Sequence, residues 1–423
     1  MPKIKNTTLK ALLWLQGYTK TDMVYLASGG FWAVFSQLVV SFGTFLLAIA
    51  FAHFVSKEAY GEYKYILSIA GILGTFTLNG LATSVMKSVA NGFEGTLHYA
   101  FWKNVKWSIL FFFLTFGASI YYFLNGNNGL GVSMLVVGAF SPFWSSTNLY
   151  NAYLLAKKDF RRSAIYYNII GNIFPSFCIF AAILLTNKPF YLISVFFISN
   201  VLIGLTLYNR TVRIYKPNEK IDTGVIGYSK HLSAIGILGG LASNIDQVLI
   251  FHYIGAAPLA VYNFAAAIPN QLKGPVKSLA GLIFPKFTER SEAEIRTGMR
   301  NKFLLAFMGG VVIVIAYIIA APYIFHIFFP KYIDAIKYTQ ILSLSLLAIV
   351  SIPAEVYFVA KQKIKEQYVA NIVISVLQIA IMFVFVLWKG LWGVVFARVI
   401  IKILWSALNI FLYERGSKQT AVI

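Results

Sequence analysis

Only one cysteine, Cys178, occurs in the 423-residue chain. An intramolecular disulfide and a thiolate metal cluster are therefore excluded, and Cys178, set in an apolar run, is expected to be a small buried hydrophobe. Charge is also scarce. Asp, Glu, Lys and Arg make up 12% of the residues, about half the share in a soluble domain, which excludes a soluble enzyme and a disordered chain. Acidic residues are the scarcest, 15 against 36 basic ones. No Gly-Lys pair occurs, so there is no GxxxxGK[ST] phosphate loop and no intrinsic ATPase. HExxH, GxSxG and Asp-x-Asp are missing as well, and with them the usual marks of a zinc protease, a serine hydrolase and a metal-dependent glycosyltransferase. His53, His98, His231, His252 and His326 are scattered without metal-site spacing.

What the chain has instead is apolar residues, 58% of the total, with a mean hydropathy of +0.71. Stretches of about 20 apolar residues, long enough to cross a bilayer, recur near 31–52, 65–86, 106–124, 130–155, 163–186, 190–209, 226–252, 259–285, 303–328, 338–360, 367–388 and 391–413. These twelve spans predict an all-α polytopic membrane protein. The connections test the count independently. With the N-terminus inside, the inside segments hold 26 Lys and Arg and the outside loops six, Lys57, Lys64, Lys188, Lys331, Lys337 and Lys389. Losing one span would scramble that alternation, so the positive-inside rule supports twelve spans with both termini cytoplasmic. The net charge of +21 is then mostly topology, and nucleic acid is not an expected partner.

The expected organisation is a cytoplasmic amphipathic segment at 1–28 with no cleavable signal, a six-helix bundle at 29–209, a cytoplasmic linker at 210–225, a second six-helix bundle at 226–413 and a cytoplasmic tail at 414–423. An internal match supports the two bundles. Residues 53–65 read HFVSKEAYGEYKY and residues 252–264 read HYIGAAPLAVYNF. At this offset of 199, His53 meets His252, Tyr63 meets Tyr262 and Tyr65 meets Phe264. The match joins the first span of one half to the first span of the other in the same membrane orientation. That is a parallel repeat, two pseudo-symmetric bundles of the kind that enclose a central cavity and open it alternately.

The same residues carry a family resemblance. The runs AFAHFVSKEAYGEYK at 50–64, LNGLATSVMK at 78–87, DQVLI at 246–250, VYNFAAAIP at 261–269 and IFPKFTE at 283–289 resemble the polysaccharide-transport flippases. These belong to the multidrug/oligosaccharidyl-lipid/polysaccharide exporter superfamily, which also holds the MATE drug transporters. The resemblance covers about residues 25 to 415, and order and spacing make it specific. It implies a MATE-like fold in a bacterial or archaeal cell membrane. It also implies flipping of undecaprenyl-diphosphate-linked oligosaccharide units to the outer leaflet, for O-antigen, capsule or a related surface glycan. Membrane lipids, a polysaccharide polymerase and chain-length machinery are the implied partners. The protein is then a transporter and not an enzyme. Two alternatives stay open. A drug/cation antiporter of the same superfamily would favour an acidic cavity, and a membrane-embedded glycan polymerase would need a sizeable outside loop that this chain lacks.

Ionisable side chains within spans are costly, roughly 2.5–3.5 kcal/mol each at mid-bilayer, and mark function by default. Six stand there: Asp246, Lys273, Lys277, Glu355, Arg398 and Lys402. Lys273 and Lys277 lie four apart in span 8, with Pro269 and Pro275 flanking Lys273 as kink sites. Arg398 and Lys402 repeat the spacing in span 12. Four cations against two anions leave a surplus of two, joined by Lys87 at the end of span 2. These five cations are the expected substrate site, a cavity for a lipid diphosphate in which Arg398 can bind phosphate oxygens in bidentate fashion. Snorkelling to the interface is the alternative for the lysines. Asp246 and Glu355 balance the cavity cations, couple transport to a proton or sodium gradient, or simply lie near the interface; no other cofactor is expected. Asn79, Asn148, Asn151, Asn168, Asn172, Asn371 and Gln378 either bond between helices or touch sugar hydroxyls, and Trp144, Tyr150 and Tyr153 are candidate platforms for sugar rings.

Overall fold

A computed structural model describes residues 23–419, which are helical almost throughout. The amphipathic segment expected at 1–28 falls mostly outside the described residues, as do 420–423. Among the described residues eight helices are long and apolar enough to cross a membrane, nine when Val225–Ala234 and Gly236–Tyr253, bent by 46°, count as one span. The last of the eight, Ile364–Gly416, has 53 residues, about 80 Å at 1.5 Å per residue. That is more than twice the ~30 Å hydrocarbon thickness. It turns at Lys389 and Gly390, the latter at φ +55°, where only glycine is at ease, and so supplies two passes. Two further places in the frame are filled by Lys57–Gly74 with Leu81–Ala90, which carries four charges in its first helix, and by Ala256–Glu289, whose Asn, Gln and Pro residues lower its apolarity. The arrangement accommodates the twelve-span frame.

Span 2 starts earlier than hydropathy suggests. Ser56 caps the helix by accepting from the Ala59 amide at 3.2 Å, and Glu58 lies in the first turn, where the helix dipole favours an anion. Lys57 and Lys64 therefore ride on the helix instead of in an outside loop. Tyr60, Tyr63 and Tyr65 line its buried face. The helix breaks after Gly74, where short polar side chains compete with the backbone ladder. Thr75 Oγ1 donates to the Ile72 carbonyl at 2.7 Å, Thr77 Oγ1 to that of Gly74 at 2.7 Å, and Asn79 Nδ2 to that of Thr75 at 3.3 Å. Span 8, with Pro269 and Pro275 as its kink sites, is helical from Ala256 to Glu289. Cys178 is half-buried instead of buried, because it shares a helix face with the exposed Phe174 and Phe177.

The repeat reappears in the helix boundaries. The first helix of each half ends at Phe54 and at Tyr253, and the next begins at Lys57 and at Ala256, both at the offset that aligns the sequence strings. The two joins differ locally. Ser56 at φ −69° is an ordinary cap, whereas its counterpart Gly255 stands at φ +125°, which a side chain would resist.

The halves meet along span 2, which packs on spans 7 and 8, and between spans 1 and 8. Glycines bring backbones together there: a Cβ on Gly61 would lie 1.9 Å from the Ala256 carbonyl oxygen, and one on Gly240 would lie 2.1 Å from Thr75 Cγ2. At the end carrying His53 both halves contribute to one continuous apolar core, including Phe51, Tyr60, Phe264, Phe325, Phe329 and Tyr332. At the opposite, Lys/Arg-rich end the described residues form two separate cores. One, around Leu81, Leu97, Tyr153 and Leu207, belongs to the N-terminal half with the start of span 7. The other, around Phe287, Ile295, Phe358 and Tyr413, belongs to the C-terminal half.

Candidate functional site

Three helices of the C-terminal half converge on Asp246, which is 3% exposed. Arg398 Nη1, from the second pass of Ile364–Gln419, stands 3.3 Å from Asp246 Oδ2. The Tyr262 hydroxyl, from Ala256–Glu289, donates to the same oxygen at 2.6 Å, and the Gln247 amide donates to Oδ1 at 2.9 Å. The carboxylate is thus held by one cation and two hydrogen bonds. A buried ion pair of this kind contributes little net stability, but removing one partner strands the other at a cost of about 3–5 kcal/mol. The geometry gives Asp246 a charge-balancing contact with Arg398.

One turn further along the same helix, Lys402 Nζ lies 6.0 Å from the Trp405 ring centroid. The Trp405 indole N–H donates to Glu355 Oε1 at 2.8 Å, and Ser351 Oγ donates to that oxygen at 2.8 Å. Span 12 therefore carries two cations, each in a neighbourhood that also holds one of the two intramembrane carboxylates, brought by spans 7 and 10.

Span 8 contributes Lys273, half-buried, whose Nζ donates to Asn270 Oδ1 at 3.0 Å. Its neighbour Gly274 faces span 1, with Gln37 Nε2 3.6 Å from where a Cβ would stand, so Lys273 sits beside the seam between the halves. Lys277 follows one turn on in the same helix; its side chain lies outside the described residues. Lys87 is exposed at the last turn of Leu81–Ala90, and its Nζ lies 4.8 Å from the Tyr228 ring centroid across the span 2–span 7 edge. The structure thus gathers Asp246, Arg398, Lys402 and Glu355 on the span 12 side and leaves Lys273 at the seam and Lys87 at the basic rim.

Several amides act within the protein. Asn168 Nδ2 donates to Ser36 Oγ at 2.9 Å, Asn151 accepts from Ser163 Oγ at 2.6 Å, and Gln378 donates to the Ala242 carbonyl. Tyr150 and Tyr153, expected as sugar platforms, are instead core residues, 1% and 0% exposed. Tyr153 donates to Glu94 Oε2 at 2.9 Å, and Trp144 packs edge-on against Phe196 and Phe197. Their aromatic faces are spent on packing.

Sequence reasoning missed the closure at the His53 end. Lys57 Nζ lies 2.9 Å from Asp334 Oδ2, and Lys331 Nζ donates to the His53 carbonyl at 2.6 Å. Beneath them Phe264 packs 4.8 Å from Tyr60 and 4.0 Å from Tyr332, ring to ring, and Tyr65 stacks on Phe251 at 3.7 Å. The one available signal was the aromatic content of the two aligned strings.

Comparison with known proteins places this geometry. A family model described as polysaccharide biosynthesis protein matches residues 26–291. No curated protein matches the chain. Among solved structures, the lipid II flippase MurJ in an inward closed conformation is similar, with a TM-score of 0.65 and 14% identity over 91% of this chain and 87% of that one. An outward-facing MATE family multidrug resistance transporter of the MOP superfamily gives 0.64 and 13%, over 93% and 96%. A MOP superfamily transporter from Pyrococcus furiosus, described as having a binding pocket of reverse polarity that suggests a different function, gives 0.57 and 13%, over 92% and 95%. At such identities the structures share the fold. Taken with the matched family model, they make the chain a multi-pass membrane protein of the polysaccharide biosynthesis protein family, built on the MOP-superfamily transporter fold.

Proposed function

We propose that the protein flips undecaprenyl-diphosphate-linked oligosaccharide units from the cytoplasmic to the outer leaflet of a bacterial or archaeal cell membrane by alternating access, for surface polysaccharide synthesis. The Lys/Arg-rich end is cytoplasmic in this reading, so the shared core closes the outside and the separate cores flank a cleft toward the inside. The observation that carries it is the position of Lys273, a half-buried cation midway along span 8, beside the seam where the halves meet. A diphosphate cannot cross hydrocarbon without a substitute for its water, and a fixed ammonium supplies part of one. Lys277 extends the same helix face, and Lys87 offers a cation at the cytoplasmic rim. Arg398 joins the site when the diphosphate competes with Asp246 for the guanidinium. Asp246 is also the carboxylate best placed for coupling to a proton or sodium gradient, since a cation that displaces Arg398 would change the pairing of three helices. A polymerase and chain-length machinery would then receive the flipped units.

The test is complementation of a strain deleted for the gene. Deletion should remove the surface glycan and accumulate its lipid-linked unit inside. Lys273→Gln, at normal membrane abundance, should restore less than a tenth of the wild-type glycan. Full restoration would overturn the site. Drug sensitivity without glycan loss would favour the antiporter instead.

A further inference from the structure

A polar seam crosses the middle of the protein between spans 1 and 8. On Met23–Phe54, Gln37, Ser41 and Thr44 recur at i, i+4 and i+7, the spacing of one helix face. Gln37 Nε2 lies 3.4 Å from Ser41 Oγ. The facing helix brings Asn270, Gln271 and Lys273: Gln271 Nε2 lies 3.4 Å from Thr44 Oγ1, and Lys273 holds Asn270 at 3.0 Å. Gln37 and Asn270 are exposed; Ser41, Thr44, Gln271 and Lys273 are half-buried.

Two features separate this seam from the amide staples elsewhere in the bundle. Its cross-helix contact is long, at the limit of a hydrogen bond, whereas the Asn168–Ser36 staple is 2.9 Å. Two of its amides, Gln37 within the apolar segment Gly30–Phe54 and Asn270 on the facing helix, are also exposed, where hydrocarbon would leave them unsatisfied. The seam therefore faces a hydrated cleft. An amide presents two donors and two acceptors, which suits the hydroxyls of a sugar ring and is wasted on a lipid tail or a bare ion. A sugar bonded directly to a diphosphate would lie next to whatever cation holds that diphosphate, and Lys273 is one turn from Asn270.

We propose that this seam is a carbohydrate subsite. Gln37, Gln271 and Asn270 read the hydroxyls of the sugar nearest the diphosphate, with Ser41 and Thr44 orienting the two glutamines. The inference rests on the flippase function and adds to it where selection among glycans is made.

Binding of two kinds of probe to the full-length protein in nanodiscs tests it: undecaprenyl diphosphate alone, and undecaprenyl diphosphate bearing a single hexose, N-acetylhexosamine or 6-deoxyhexose. Wild type should bind at least one sugar-bearing lipid tenfold or more tighter than the bare lipid. The Gln37→Leu/Gln271→Leu double variant should erase that preference while keeping its affinity for the bare lipid within about twofold. Lys273→Gln should weaken both. Should the double variant fold poorly, Thr44→Val and Asn270→Leu, each checked for unchanged unfolding temperature, should each reduce the preference. A preference that survives these changes, or an equal loss for both lipids, overturns the subsite and leaves a structural staple. Wild type that binds neither lipid overturns the flippase function itself.

Discussion

Lys57 and Asp334 are 277 residues apart in the chain, yet their charged groups stand 2.9 Å apart and link the two halves at the His53 end. The pair is partly exposed, 30% and 53%, and such pairs contribute only about 0.2–1 kcal/mol. The buried rings beneath do more, since truncating a core phenylalanine costs about 3–5 kcal/mol. Lys57→Met should therefore lower stability by less than about 1 kcal/mol, and Phe264→Ala by several times as much. Thermal unfolding in detergent measures both, and equal losses would refute the aromatic closure.

If this end opens during transport, fixing it shut should stop the cycle. With Cys178→Ser as background, Lys57→Cys and Asp334→Cys joined by a short bis-methanethiosulfonate linker should lose flipping, and dithiothreitol should restore it. Transport that continues in the cross-linked protein would show that the contact is not a gate.

Asp246 and Arg398 should behave as a coupled pair. Asp246→Asn or Arg398→Gln alone leaves a buried charge behind, and a loss of about 3–5 kcal/mol is expected from each. The double variant should recover part of it, giving a coupling above about 1 kcal/mol. Additive losses in the unfolding midpoints would mean that the pair carries no energetic link.

At the basic end, Glu94 bonds to Tyr153 at 2.9 Å and pairs with Lys157. Partial burial pushes its carboxyl up, but the bonds from Lys157 and Tyr153, the Lys157 charge and the Asn218 backbone outweigh this and hold it below the ordinary 4.5. A carboxylate depressed on folding contributes its full stability above its unfolded value and loses it as pH falls through the folded one. Unfolding temperatures should accordingly fall from about pH 5 downward. Glu94→Gln should be less stable at pH 7 and shallower on the acid side. An unchanged acid limb would remove Glu94 from the account.

Apolarity and the charge of the connections made the membrane class, the span frame and the repeat legible, because both act locally along the chain. The ionisable residues within spans were legible for the same reason. Their partners were not. Asp246 meets Arg398 and Tyr262 only because spans 7, 8 and 12 pack together, and nothing local separates Tyr262 from the other 24 of the 25 tyrosines. Tyr150 and Tyr153 show the same limit, since an aromatic ring facing the core and one facing a cleft look alike in sequence. Lys64 was misplaced because an apolar window discounts the charged, tyrosine-rich turns that Ser56 caps. The seam escaped notice because Gln37, Ser41 and Thr44 carry no charge and sit in an otherwise apolar run.

The uneven division of the core has an energetic consequence. Tilting the halves apart at the basic end parts only the start of span 7 from the N-terminal inner core, among the described residues. Opening the other end must divide a continuous aromatic core. The two arrangements therefore differ in intrinsic free energy. Moving such a balance from 1:99 to 99:1 takes about 5.5 kcal/mol of differential affinity. A cargo that merely binds tightly would leave the halves where they are; it must bind the opened form better than the closed one.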